Sequence, residues 1–145
     1  MARLSIGSLA GKEDIMKKSN TLVIQSAEFA NRIVVLAREL RRQREYVFAD
    51  QILRSGTSIG ANIREAQFGE SLADFSHKLH ISLKEANETL YWLDILRDAN
   101  LIAEDEHANL RASCIALLKM LLSAIRTTKK KIIANGNYCP LGIAV

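Results

Sequence analysis

Arg54-Ser55-Gly56-Thr57-Ser58-Ile59-Gly60-Ala61-Asn62-Ile63-Arg64-Glu65-Ala66 is a run of small and polar residues inside a stretch whose apolar residues recur with helical spacing. Phe48, Ile52, Ile59, Ile63 and Ala66 form one stripe of a helix expected over roughly Tyr46 to Phe68. Beside that stripe, Ser55, Ser58, Asn62 and Glu65 follow the three- and four-residue spacing that places side chains on one helix face. A glycine inside a helix costs about 1 kcal/mol relative to alanine, so Gly56 and Gly60 call for a compensating gain such as the close approach of another helix. A local kink is the alternative reading. Ser58, Gly60, Asn62 and Glu65 are the candidates for a helix or subunit contact.

Working outward, helical spacing recurs on both sides. Upstream, Leu22, Ala27, Phe29, Ala30, Ile33, Val34, Leu36, Ala37 and Leu40 mark a first helix from about Asn20 to Gln43, with Asn20 as its expected cap. Its end carries Arg38, Arg41, Arg42 and Arg44, which either offset the negative end of the helix dipole or form a binding patch. Downstream, Gly69 is a helix stop, and Ser71 with Asp74 has the spacing of a capping box. Leu72, Phe75, Leu79, Leu83, Ala86, Leu90, Leu93 and Leu96 then carry a third helix to about Ala99 and Asn100. Glu104, Asp105 and Glu106 open a fourth, whose apolar face is Leu110, Cys114, Leu117, Leu118, Leu121, Leu122 and Ile125.

Long helices with short connections predict an all-α, antiparallel up-down-up-down four-helix bundle over residues 20–133. Residues 1–19 read as a flexible N-terminal arm, within which Met16 is an alternative start, and residues 134–145 as a tail. The topology places Lys17, Lys18, Arg126, Lys129, Lys130 and Lys131 at one pole, the better candidate for binding phosphates. The arginines of the first helix fall at the other pole, where Asp98, Glu104, Asp105 and Glu106 offset them.

The totals agree. The chain has 145 residues, 48% hydrophobic and 25% charged, with a single proline, which suits one helical domain. A net charge of +4 and a pI near 9.2 favour an acidic partner. Cys114 and Cys139 are too few for a disulfide framework and lack metal-ligand spacing; no uninterrupted apolar run approaches the roughly 20 residues of a membrane span, and a cytoplasmic location is expected.

Catalytic chemistry finds no footing. Asp74 to His77 and Glu104 to His107 have the carboxylate-x-x-His spacing of di-metal bundles, yet an antiparallel arrangement separates them by about 35 Å at a rise of about 1.5 Å per residue. His77 and His80 read as solvated surface groups, no nucleophile has a suggested base, and Gly56 to Gly60 lacks the strand a nucleotide-binding loop requires. Neither enzyme activity, metal nor cofactor is expected. Tyr91 and Trp92 are a potential base-stacking pair, with core or oligomer contact as the other reading.

Arg54, Ser58, Ile59, Asn62, Ile63 and Glu65, then Ser71, Asp74 and Phe75, and later Glu85 and Glu88, resemble the signature of bacterial proteins encoded in intervening sequences of 23S ribosomal RNA genes, the S23-type family. The resemblance covers roughly Asn20 to Lys131. Gly60 stands where many members have proline, and Ala66 where they have glycine. The resemblance implies a non-enzymatic homo-oligomer of four-helix bundles, a pentamer, with RNA or DNA as a partner. It extends to the accessory variability protein of diversity-generating retroelements, which implies a reverse transcriptase partner. A protein-interaction scaffold, its basic ends docked on an acidic protein, is the competing reading.

Overall fold

The computed structural model describes residues 7–135, with side chains from Asn20 onward. Four helices account for almost all of it: α1 (Gly7–Arg42), α2 (Tyr46–Ala66), α3 (Leu72–Asp98) and α4 (Glu104–Ala134). There is no strand among the described residues. α2 packs on α1 and α3, α4 packs on α3 and, over a smaller area, on α1, and the diagonal pairs do not touch. This is the expected four-helix arrangement. α4 alone among the described helices is long and apolar enough to cross a membrane by length and composition; in the bundle its stripe of Leu110, Cys114, Leu117, Leu121 and Ile125 is buried.

One boundary differs from the sequence expectation. α1 begins at Gly7, not at Asn20, which is an exposed position within the helix rather than its cap. Periodicity locates only the part of a helix that buries a stripe, whereas Lys12 to Lys18 contains no proline and mostly good helix formers, so nothing in it stops the helix. Cys139, Pro140 and the rest of the tail from residue 136 lie outside the described residues.

The turns at one pole share a chemistry. Arg44 and Asn100 both have left-handed backbones, with φ of 64° and 58°. In each case the next amide reaches back to the helix: Glu45 N donates to Leu40 O and Leu101 N to Leu96 O, both at 2.9 Å, the hydrogen-bond pattern that ends a helix when the following residue is left-handed. Arg44 is therefore a turn residue as well as a cation. At the opposite pole Ser71 caps α3, its hydroxyl accepting from Asp74 N at 3.1 Å, as the Ser-x-x-Asp spacing predicts.

The glycines and the polar row of α2, expected side by side, lie on opposite sides of its aliphatic stripe and face two different helices. The glycines face α1: a Cβ built on Gly56 would lie 2.8 Å from Cγ1 and Cγ2 of Ile33, and one on Gly60 would lie 3.3 Å from Ser26 Oγ. The polar residues face α3. Thr89 Oγ1 sits 3.0 Å from Ser55 Oγ, Ser82 Oγ donates to Ile59 O at 3.0 Å, and Lys78 Nζ donates to Glu65 at 2.6 Å. Ser55, Ser82 and Thr89 are fully buried, so these bonds offset the cost of removing their hydroxyls from water.

The contact on Ile33 requires a larger cost at Gly56 than at Gly60. Gly56→Ala should destabilise the chain by about 1–3 kcal/mol, because the methyl group must displace a fully buried isoleucine. Gly60→Ala should stay within about 1 kcal/mol of wild type, since improved helix propensity offsets the tighter contact on Ser26. Urea unfolding followed by circular dichroism measures both; equal effects would contradict the packing described.

Candidate nucleic-acid interface

α4 divides into a buried stripe and an outward basic face. Leu117, Leu121, Ile125 and Thr128 are buried, whereas Lys119, Leu122, Ser123, Arg126 and Lys130 are exposed. The outward residues, with Thr127, line a shallow depression of about 480 Å³. Thr127 Oγ1 donates to Ser123 O at 3.0 Å. Lys119, Arg126, Lys129, Lys130 and Lys131 have no carboxylate partner among the described residues.

The cations expected at this pole do not all lie on one face. Successive helix residues are about 100° apart, so Lys129, Lys130 and Lys131 cannot share a face. Lys130 continues the line of Lys119 and Arg126, and Lys131 is half-buried. Lys119 was missed by a reading that looked for charge at helix ends; its spacing of seven residues to Arg126 and four more to Lys130 is the signal that would have found it. The backbones at Lys17 and Lys18 belong to α1 and stand at the same end of the bundle as the end of α4, since α1 starts where α4 finishes; their side chains lie outside what the structure describes.

At the other pole half of the arginine charge is engaged. Arg41 pairs with Asp50 of α2, and Arg42 with Glu39 at 3.2 Å. Arg38 and Arg44 are exposed without a carboxylate partner among the described residues. The neutralising acids are thus Asp50 and Glu39 rather than Asp98, which pairs with Arg97, or the Glu104–Glu106 run.

The signature residues have an internal task in this chain. Arg54 donates to Glu85 at 3.3 Å and also to Glu88, and Trp92 Nε1 donates to the same Glu88 at 3.1 Å. Trp92 in turn meets Phe48 and Tyr91 edge-on, with ring centroids 6.4 and 5.0 Å away. Glu65 closes the other end of the α2–α3 face through Lys78, whose ammonium it raises above the ordinary lysine value by hydrogen bond and charge. Asn62 Nδ2 donates to Ser58 O at 2.9 Å, within α2. The contacts of Ser58, Gly60, Asn62 and Glu65 described here are therefore contacts within and between helices of one chain.

Comparison with known proteins places this architecture. The 23S rRNA-intervening sequence protein family matches residues 18–123. The chain belongs to that family. The matched stretch holds the whole signature and Lys119, and ends before Arg126. A solved structure from the S23 ribosomal protein family of Bacteroides thetaiotaomicron, a protein with unknown function, is 48% identical, with a TM-score of 0.74 over 75% of this chain and 98% of its own. Comparison with curated proteins finds no match.

The histidines of this family member separate by burial. His77 and His80 are exposed, and His80 Nδ1 sits 2.8 Å from Ser76 O. Among the described residues no group of three or more His, Cys, Asp or Glu side chains is placed to hold a metal. His107, by contrast, is only 2% exposed, its Nε2 lies 2.8 Å from Asp94 Oδ1, and its Nδ1 is buried without a partner. Asp94 also meets Arg111 Nε at 3.4 Å. Burial pushes the Asp94 carboxyl up, but the His107 hydrogen bond and the charges of Arg111 and Arg97 outweigh it and hold it below the usual carboxylate value. Cys114 is a core residue as expected: it donates to Ala86 O at 3.3 Å, and burial pushes its thiol up to about 12.

Removing the Asp94 carboxylate strands a buried imidazole, so Asp94→Ala should cost about 1–3 kcal/mol in urea unfolding at neutral pH. Asp94→Asn, which keeps an acceptor, should cost less. The lowered carboxyl value gives the sign with pH: its contribution is present above the ordinary carboxylate range and is lost as pH falls through the lowered folded value. The stability gap between wild type and Asp94→Asn should therefore narrow on acidification; a widening gap would contradict the assignment.

Proposed function

We propose that this family member is a non-enzymatic, oligomeric protein that binds the phosphate backbone of RNA or DNA through the outward face of α4. The observation that carries this reading is the line Lys119, Arg126 and Lys130, exposed along one helix face with no carboxylate partner among the described residues. Arg41, Arg42, Arg54, Lys78, Arg97 and Arg111 are held in ion pairs elsewhere in the bundle, whereas cations without partners on a common face attract a polyanion. The hydroxyl of Ser123 lies between them and suits phosphate oxygens. The homo-oligomer, a pentamer by resemblance, would repeat this face around a ring and sum its field.

Fluorescence anisotropy with labelled RNA and DNA across a salt series tests the reading. The expected result is salt-sensitive binding with little sequence selectivity, weakened by about tenfold or more in Lys119→Glu/Arg126→Glu/Lys130→Glu. These exposed positions make no ion pair among the described residues, so the triple variant should keep its helicity and its light-scattering mass. Unchanged affinity in that variant would overturn the assignment of the face. Retention of an acidic partner protein without nucleic-acid binding at low salt would instead fit the scaffold reading.

A further inference from the structure

We infer that the α4 face takes double-stranded RNA or DNA in preference to single strands, holding phosphates and not bases; this deepens, and rests on, the function proposed above. A single strand gives up its bases to aromatic platforms, each stacked base contributing about 1–3 kcal/mol. The depression on α4 has none: its lining is Lys119, Leu122, Ser123, Arg126, Thr127 and Lys130.

Among the described residues no aromatic ring lines that depression. Trp92 is half-buried, tied to Glu88 and wedged edge-on between Phe48 and Tyr91. Tyr91 is 56% exposed, but the Asp94–His107 and Ala86–Cys114 hydrogen bonds fix the antiparallel register of α3 on α4. That register sets Tyr91 level with the stretch of α4 between His107 and Cys114, upstream of Lys119. Phe68 is 87% exposed in the α2–α3 turn, at the pole where α4 ends, and is not part of the lining of the depression.

What remains is electrostatic attraction to a straight ridge. Lys119, Arg126 and Lys130 span about 16 Å of helix axis, in steps of about 10 and 6 Å. Along such a line a duplex presents one charge per about 1.7 Å of its axis, twice the density of either strand counted alone. Three cations fixed on a packed helix cannot follow a flexible chain, so with no stacking contribution the denser, stiffer polyanion wins.

The test compares a fully paired duplex with an unstructured single strand of equal length, both labelled, on the full chain. The duplex should bind about tenfold tighter or better at low salt, and Arg126→Glu/Lys130→Glu should reduce the steepness of its log–log salt dependence by about 2. Phe68→Ala and Tyr91→Ala should leave both affinities unchanged. A single strand that binds as tightly as the duplex, or loses affinity in either aromatic variant, overturns this inference while leaving the proposed function in place. Binding of neither ligand at low salt overturns the proposed function itself.

Discussion

The fold depends on how closely α2 can approach α1. With Gly56 backbone directly on the Ile33 side chain, there is no room for even a methyl group between the helices, and Ile33, Ile52, Ile59 and Ile63 are all withdrawn from water. Each glycine gives up about 1 kcal/mol of helix propensity, whereas full burial of one isoleucine contributes about 1.5–3 kcal/mol. The exchange favours glycine as long as the isoleucines stay covered. It also fixes which way α2 is rotated, and that rotation sends its polar face toward α3.

The α2–α3 joint is consequently of mixed character. At its centre are buried hydroxyls: Ser55, Ser82 and Thr89 hydrogen-bond across the helices or to their own turns, so none is left unsatisfied. At its rim are ion pairs, Arg54 with Glu85 and Glu88, and Lys78 with Glu65. Exposed pairs of this kind contribute about 0–1 kcal/mol each, too little to hold the bundle together. Their consequence is registry, because a slide of one turn would take one of the two glutamates from Arg54 and leave buried hydroxyls without partners. That accounts for a signature written in polar residues around a hydrophobic core.

Much of this was legible in the sequence because it follows from spacing. The helices, the Ser71 cap, the Asn100 stop and the burial of Cys114 each rest on local pattern or composition. The small and polar residues of α2 also stood out, but as one row beside the aliphatic stripe: small residues announce close approach without naming the neighbour, and only the fold assigns the glycines to α1 and the hydroxyls to α3. His107 was read merely as part of a spacing motif, since nothing local distinguishes a histidine aimed at Asp94 of the preceding helix from a solvated one. The basic pole was legible as an end of the bundle but not as a face: Lys129, Lys130 and Lys131 are adjacent along the chain and diverge around the helix.

Counting around the helix also separates what the fold requires of α4 from what it does not. The buried stripe from Leu110 to Ile125 is fixed by the core, and the acidic first turn and basic last turn are favoured by the helix dipole. That dipole effect falls off within the terminal turns, so it favours Lys131 and gives no reason for Lys119, which lies well inside the helix. Nor does an ion pair, since Lys119 has no carboxylate partner among the described residues. Solvation alone is satisfied by any polar residue at these outward positions, including the glutamates that would pair with Arg126 at i,i+4 spacing. Instead Leu122 and Lys130, the residues four before and four after Arg126, leave its charge uncompensated, and Lys119 repeats that charge two turns earlier. The core, the helix ends and solubility thus leave this face unspecified, and it carries charge of one sign in register, which is why the proposed binding role rests on it.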